Sequence, residues 1–509
     1  MSTYMLEVSR YNLSFKLKTN DTRLINTIEY FIDKYYTLKQ EEFGTKGTKN
    51  YKRFVSYIKE KNEYYFHIHQ FYHLYNFLKK ENIPFNPTYT ENKSHYSAEP
   101  VEMNVRDEWQ PRDYQKPVVE FLLHEPRGSK LVSLKTGQGK TFIALYSIAK
   151  LMSRLAIVIL PIYIDKWVKD ILTIHNAKAE DILVIQGSKN LKLLIELAKN
   201  NELDNKYIIF SSRTLQEFIS QYEENPYLIE EEYGISPIDL FPLLKVGVLL
   251  IDETHQHFHA IYKILLHTNV HYHIGLSATL ISDNYTVSRI QKLVYPEKNI
   301  YGEKVNDRYI DVYPISYDID SRFIKMIKTT FYGSNKYSHI AFEKSILKKD
   351  FLLQKYFNLI KKTIEDYFVN EYMRGDKLLI FISTVELGTQ LSNYLQNCYP
   401  KFVVKRYCED DPYEHLECAD IIVSTIISAG TAVDIKNLRV VIQTVSISSS
   451  VANIQSLGRL RKLEDRDVKF CYLYSNQINK QLEYHKKRIE LFTPRVAHIL
   501  HRRSSINLN

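Results

Sequence analysis

The residues with the plainest chemistry in this chain are Gly137, Gly139, Lys140 and Thr141, in the run LKTGQGKT at 134–141. That run follows the apolar stretch LVSL and precedes FIALYSIAK, a helical pattern. A glycine-containing loop between a strand and a helix lets backbone N–H groups wrap phosphate oxygens at the helix N-terminus. On this reading Thr136, Gly137, Gln138 and Gly139 form the cradle. The Lys140 ammonium then reaches the β- and γ-phosphates of a nucleoside triphosphate, and the Thr141 hydroxyl holds Mg²⁺. The general pattern asks for glycine at the first position, where Leu134 stands. A glycine-rich turn beside a surface lysine is the plainer alternative, and the strand and helix context argue against it. Further along, VGVLLIDETHQ delivers Asp252 and Glu253 to the end of an apolar strand. Two adjacent carboxylates at the C-terminal edge of a parallel sheet suit a Mg²⁺ site in the ligand crevice. Asp252 would bind the metal, partly through water, and Glu253 would orient and deprotonate an attacking water.

These groups need a scaffold that brings strand ends together, and the hydrophobic pattern supplies one. LVSL (131–134), LAIVIL (155–160), YIIFSS (207–212), VGVLLID (246–252) and HIGLSAT (273–279) read as strands, each followed by a helical stretch. KLLIFIS (377–383), DIIVST (420–425) and RVVIQT (439–444) form a second set. Near-continuous apolar strands separated by helices imply parallel sheets covered on both faces. The fold class is therefore α/β, with two such units in tandem, preceded by a small α+β domain in which EYYFHIHQF alternates like a strand and FYHLYNFLKK like a helix. The expected divisions are an accessory domain over 1–100, with nucleic-acid binding as one of its readings, and a first α/β lobe over 105–300. An interlobe linker or insertion over 301–345, a second lobe over 346–478 and a basic tail over 479–509 follow. Pro84, Pro87 and the polar stretch 92–100 read as a linker.

With 509 residues the chain is too long for one ordinary core. A hydrophobic share of 44% and a charged share of 25% exclude a disordered chain. The net charge of +9 fits a polyanionic partner without requiring one. The four cysteines form no CxxC pair, which argues against a zinc ribbon and suits a reducing compartment. The opening MSTYMLEVSRYNLSFK does not read as a signal peptide, and the apolar run 155–164 is too short to span a bilayer, so a soluble intracellular protein is expected.

LKTGQGKT, DETH (252–255), SAT (277–279) and QSLGRLRK (455–462) resemble, in order and spacing, the motifs of superfamily 2 helicases. DETH resembles the DEAH variant, with Thr254 in place of alanine. The resemblance implies two tandem RecA-like P-loop domains and, as cofactors, ATP and Mg²⁺. PRDYQ (111–115) looks like the adenine-reading Q motif, which implies that Gln115 bonds the adenine edge and that Arg112 stacks on its face. By the same resemblance Ser277, Thr279 and Gln455 couple the nucleotide to lobe closure, Asp434 braces the nucleotide, and Pro161, Ser211 and Thr425 touch nucleic acid. LLIFISTVELGTQL (378–391) looks like motif IV, and STIISAGTAVDI (424–435) looks like motif V, with Ala432 where many relatives have glycine. Arg459 matches the first arginine of the last motif. The second falls at Lys462, preceded by Arg461, so either Arg461 is the arginine finger through a local shift or Lys462 substitutes as a less geometrically specific cation.

Within the superfamily the chain most resembles helicases of large cytoplasmic DNA viruses, with poxvirus transcript-release and phage branched-DNA relatives. This implies DNA and/or RNA as partner, transcription machinery as a further one, no membrane and a monomer. The host cytoplasm, at viral factories, is the expected location, with packaging in the virion and the nucleus as further ones. The leading function is an ATP-dependent helicase or translocase. Its rivals are a non-unwinding translocase acting as a termination or transcript-release factor, and a nucleic-acid-binding protein with an inactive ATPase, against which Lys140, Asp252 and Glu253 argue.

Three features are set aside. His255, His257, His259, His267, His271 and His273 crowd one region, but positions two apart fall on different faces of a helix, so a metal site is disfavoured. The tail cations Lys486, Lys487, Arg488, Arg495, Arg502 and Arg503 suit a solvated helix as well as a secondary phosphate contact. Tyr64, Tyr65 and Phe71 suit a core better than base stacking.

Overall fold

The computed structural model describes residues 4–41, 49–83, 85–92, 98, 100–134, 137–254, 257–277, 285–302, 308–331, 336–408, 411–429, 435–463 and 466–508. Packing divides the chain into one compact unit built essentially from residues up to 303 and a second from residue 304 onward.

The first unit opens with β1 (Tyr4–Arg10), β2 (Ser14–Lys18), β3 (Thr37–Glu41), β4 (Lys49–Arg53), β5 (Ser56–Ile58), β6 (Glu63–His67) and β7 (Phe85–Asn92). Five of these form a sheet in the order β5-β6-β2-β1-β7, and β3 with β4 makes a separate hairpin. Helix Thr22–Tyr35 starts at Asp21, whose carboxylate accepts from the N–H groups of Arg23 and Leu24, both at 3.0 Å. Its buried Leu24, Ile28, Phe31 and Ile32 lie on one face. The segment around Pro87, read above as linker, is strand β7, which pairs in parallel with β1 at the sheet edge. An edge position is where a strand tolerates a residue without an N–H. Tyr64 and Tyr65 are fully buried.

The lobe that follows contributes β8 (Gly128–Ser133), β9 (Leu155–Ile159), β10 (Ile182–Ile185), β11 (Tyr207–Ser211), β12 (Val248–Ile251), β13 (Tyr272–Ser277) and β14 (Ile300–Gly302). They form one sheet, ordered β10-β11-β9-β12-β13-β8-β14, in which every pairing is parallel. The N-terminal sheet and this lobe share one continuous hydrophobic core. Phe54 packs on Phe258, His259 and Tyr262 of helix Phe258–Leu266, with ring centroids at 6.4, 5.1 and 5.4 Å. A polar layer lies beside the rings. His259 Nε2 bonds the Arg53 carbonyl at 2.7 Å, and Lys263 donates to the Val55 carbonyl at 2.9 Å and to Glu223 at 2.6 Å. Ser56 bonds both Glu223 and His267.

The second unit contains β15 (Ile310–Tyr317), β16 (Lys377–Ile382), β17 (Val404–Tyr407), β18 (Ile421–Thr425), β19 (Leu438–Gln443), β20 (Val468–Ser475), β21 (His498–Ile499) and β22 (Arg502–Arg503). The sheet runs β17-β18-β16-β19-β20-β15-β21, with β22 also on β15. Its β15 comes from the segment read above as linker or insertion, and β21 and β22 from the segment read as a basic tail. Pro314 sits inside β15. On one side β15 pairs continuously with β20; on the other, β21 pairs at Asp311 and Val312 and β22 at Ile315 and Ser316, so the tail skips Tyr313 and Pro314. A proline without an N–H offers nothing to bond on that stretch.

The interface between the N-terminal sheet and the first lobe holds neutral imidazoles. Burial lowers His259 and His267 to about 4 and holds His67 well below the usual range. Unfolded imidazoles titrate near ~6.5, so between about pH 6.5 and 4 the unfolded chain binds more protons and stability falls as pH drops. Each histidine lowered to about 4 accounts for about 1–2 kcal/mol lost by pH 5. The urea midpoint is expected to drop from pH 7 to pH 5, and to drop less in His267→Gln; equal drops in the two proteins would contradict this account.

Candidate nucleotide site and strand-end loops

Because β8, β9, β11, β12 and β13 are parallel neighbours in one sheet, their C-terminal ends emerge along one edge. That edge is followed in the chain by Lys140 after β8, Pro161 after β9 and Asp252 and Glu253 after β12, and it holds Ser211 and Ser277 at the ends of β11 and β13. After β8 the buried Leu134 side chain packs in the lobe's core, which accounts for an apolar residue at the first position of the loop. Gly137 and Gly139 have φ of 84° and 77°, left-handed values that suit glycine. Gly139 caps helix Lys140–Leu151. Lys140 folds back so that its Nζ donates to the Leu134 carbonyl at 2.9 Å. Thr141 follows in the first turn of the helix, half-buried.

Gln115 ties the upstream segment to this loop. It is buried, accepts at Oε1 from the Arg112 N–H at 3.0 Å and donates from Nε2 to the Gln138 carbonyl at 3.1 Å. A Cβ on Gly139 would lie 2.5 Å from that Nε2. The Arg112 residue is exposed. Thr136, Thr279, Asp434 and His255 lie outside the described residues.

Asp252 follows β12. Its Oδ2 accepts from the Trp167 indole N–H at 3.1 Å, and its Oδ1 from the Glu253 N–H at 2.8 Å. Desolvation and the neighbouring Glu253 charge push this carboxyl above its usual range, while Lys140, Lys166 and the Trp167 bond pull it back down. Asp252 in turn contributes to raising Asp170, on the same helix as Trp167, although burial is the larger cause there. Glu253 and His257 both have left-handed φ, 51° and 49°. Non-glycine residues held there cost roughly 1–3 kcal/mol each and cluster at functional loops. Thr254 is anchored: it is buried, and its N–H donates to the Leu276 carbonyl at 3.0 Å. A small cleft between the ends of β9, β11 and β12 is lined by Tyr163, Ser212, Gln216, Asp252, Glu253 and His257.

Ser277 is buried at the end of β13, in register with Ser133, the last residue before the phosphate loop. Pro161 starts a single turn after β9, and Ser211 closes β11 in register with Ile159. Of the histidine group, His259 and His267 serve the N-terminal interface, and His273 bonds Ser129 at 3.1 Å from inside the sheet.

In the second unit Thr425 closes β18, and its hydroxyl bonds Ser428 Oγ at 2.8 Å. Gln455 is buried in helix Ser450–Leu457, which ends at Gly458. Arg459 is 3% exposed and directs Nε to the Gln455 carbonyl at 3.4 Å, one helical turn back. Arg461 and Lys462 lie past the helix end and not on a helix surface. The half-buried Arg461 donates to the Gly458 carbonyl at 2.7 Å, and Lys462 is exposed.

Trp167 and Glu343 are not singled out by any motif in the sequence. Trp167 sits in ILPIYIDKW, the run chosen for its strand end, and is one of two tryptophans in the chain; a buried indole needs an acceptor, which was the available signal. Glu343 gave no signal, because a fully buried carboxylate looks like a surface one in sequence.

Residues 108–282 match the family model described as "Type III restriction enzyme, res subunit". No curated protein matches the chain in sequence. Among solved structures, phage T4 UvsW is 14% identical, with 99% of this chain and 100% of that one covered, at a TM-score of 0.34. Saccharomyces cerevisiae Dbp5 bound to RNA and ADP BeF3 is 14% identical over 78% of this chain and 90% of that one, at 0.48. The Pyrococcus furiosus Hef helicase domain is 14% identical over 76% and 100%, at 0.45.

Gly139→Ala is expected to cost about 1–2 kcal/mol of stability through its left-handed backbone and to displace Gln115, abolishing binding of a fluorescent ATP analogue. Gly187→Ala, equally left-handed but with open space around it, should lose stability and keep binding. Retained binding in Gly139→Ala would contradict the cradle. The family match over the nucleotide lobe, on a chain with two parallel-sheet α/β domains, supports a superfamily 2 helicase-like family.

Proposed function

We propose that this chain is an ATP-driven nucleic-acid translocase or helicase that hydrolyses ATP at the Lys140–Asp252–Glu253 site and moves on, or separates, DNA or RNA strands. The observation that carries the reading is the placement of Lys140, at a left-handed glycine cap, within electrostatic reach of a desolvated carboxylate on a strand two places away in the same sheet. Asp252 has an indole and a backbone N–H as donors and two lysines acting on it, and its raised pKa marks a site that gains from a cation. That donor set fits Mg²⁺, which is held by few protein groups together with phosphate oxygens, here Thr141 and Asp252. When bound, Mg²⁺ would neutralise charge developing on the phosphates.

The chain's own groups then divide the work. Backbone N–H groups of 137–139 and the Lys140 ammonium hold the phosphates. Gln115 and Arg112 take the adenine, and Gln115 also ties that contact to the loop. Glu253, held in a strained backbone at the cleft, orients water and accepts its proton. Arg459 with Arg461 or Lys462 supplies positive charge from the second lobe; Arg461 is favoured for its planar, multi-donor head. Ser277, Thr279 and Gln455 relay the nucleotide state, Asp434 braces the nucleotide, and Pro161, Ser211 and Thr425 contact the strand. Such contacts go to phosphates and sugars and carry little sequence preference. The resemblance to helicases of large cytoplasmic DNA viruses supports a place in transcription or DNA processing there. A termination or transcript-release factor would use the same engine without strand separation.

Lys140→Ala and Glu253→Gln are expected to lower ATP turnover by about a hundredfold or more. Arg459→Ala should lose turnover and keep ATP affinity. Wild-type turnover in Glu253→Gln would remove the assignment.

A further inference from the structure

The second unit carries a groove at the C-terminal ends of β16, β18 and β19, between Ser383, Thr425 and the loop 445–449. Its apolar surface comes from Ile340, Ile382, Ile427 and Ile447, and Tyr337 and Tyr484 stand together at one side with ring centroids 5.8 Å apart, edge to face. Ile427 is 79% exposed, an unusual position for isoleucine beside a strand end. Hydroxyls of Ser338, Ser383, Thr425, Ser446, Ser448 and Ser449 surround it. Among the described residues that line the groove there is no lysine, arginine, aspartate or glutamate.

The walls are built to hold their shape. Glu343 is fully buried beneath them and accepts from the Ser383 N–H at 2.8 Å, the Ser383 hydroxyl, the Thr444 hydroxyl at 2.9 Å and the Tyr356 hydroxyl at 3.2 Å. His339, one turn earlier, stands 3.3 Å from that carboxylate and accepts from the Ser446 N–H at 3.3 Å. A buried carboxylate is costly unless its lone pairs are satisfied, and here its bonds tie the ends of β16 and β19 and, through His339, the loop at Ser446.

We infer that this groove receives a nucleobase of the bound strand. The described lining offers a phosphate no lysine or arginine, and its one imidazole, His339, is turned to Glu343 and the Ser446 N–H, so the groove favours an uncharged ligand. A base is uncharged, presents an apolar face to isoleucine and tyrosine side chains, and carries edge donors and acceptors for the surrounding hydroxyls. The inference rests on the proposed strand contact at Thr425, which borders the groove, and adds to it a contact that depends on the base and not on the backbone.

The test compares a single strand bearing 2-aminopurine with a strand of equal length and charge whose sugars are abasic, in the full-length protein. The expected result is about tenfold tighter binding of the base-bearing strand and a change in 2-aminopurine fluorescence on binding. Ile427→Ser, chosen because the side chain is exposed, and Tyr484→Leu should abolish that preference with an unchanged melting temperature. They should leave the affinity for the abasic strand as it was. Equal affinity of the wild type for both strands would overturn the groove and leave the ATP-driven translocase standing. Preference unchanged in both variants would also overturn it, as expected if the groove instead takes an apolar protein segment. No binding of either strand would overturn the groove and the translocase together.

Discussion

A desolvated carboxylate needs positive charge, and the geometry around Asp252 shows how the fold prepares for it. The Trp167 indole and the Glu253 N–H occupy one oxygen each, and Lys140 and Lys166 act from a distance. Burial and Glu253 still leave the pKa raised. This unfinished balance organises the first lobe: β12 must end where β8 ends, with β13 between them, for Lys140 to act on Asp252 at all. The parallel pairing of β12 with β13 and of β13 with β8 provides that alignment and puts Ser277 beside the phosphate loop.

The same lobe is supported from the N-terminal side. Helix Phe258–Leu266 starts directly after the carboxylate loop, and its Phe258, His259, Tyr262 and Lys263 all contact the N-terminal sheet or the segment leading into it. Two neighbouring backbone conformations on that loop, at Glu253 and His257, are unfavourable for side-chain-bearing residues. A strained loop persists only when its surroundings over-determine it, and the shared core provides this. The N-terminal residues are thus part of the lobe's structure and not an appendage to it.

Most of the sheet core was legible in sequence, because a strand buried on both faces reads as a continuous apolar run: β9, β11, β12, β16 and β18 lie within runs such as LAIVIL and KLLIFIS, and β8, β13 and β19 overlap theirs but begin earlier. What stayed hidden follows from physics that composition does not carry. β15 holds a proline, which normally argues against a strand, and it is tolerated because the tail bonds only on either side of it. The buried lid of aromatics in the N-terminal sheet reads as a small domain of its own, since sequence does not show that Phe54 and Val55 pack against a helix some two hundred residues on. At the site, spacing pointed to Lys140 and Asp252, because a phosphate loop and a strand end are local. The partners of Asp252 and Glu343 come from distant elements, so Trp167 and Ser383 could be matched to them only in three dimensions.

The measurement closest to the central claim is ATP turnover by the intact chain with no nucleic acid and with single- and double-stranded DNA and RNA in turn. The account predicts that at least one of the four raises turnover well above the unaided rate. A rate that stays flat across all four would contradict it.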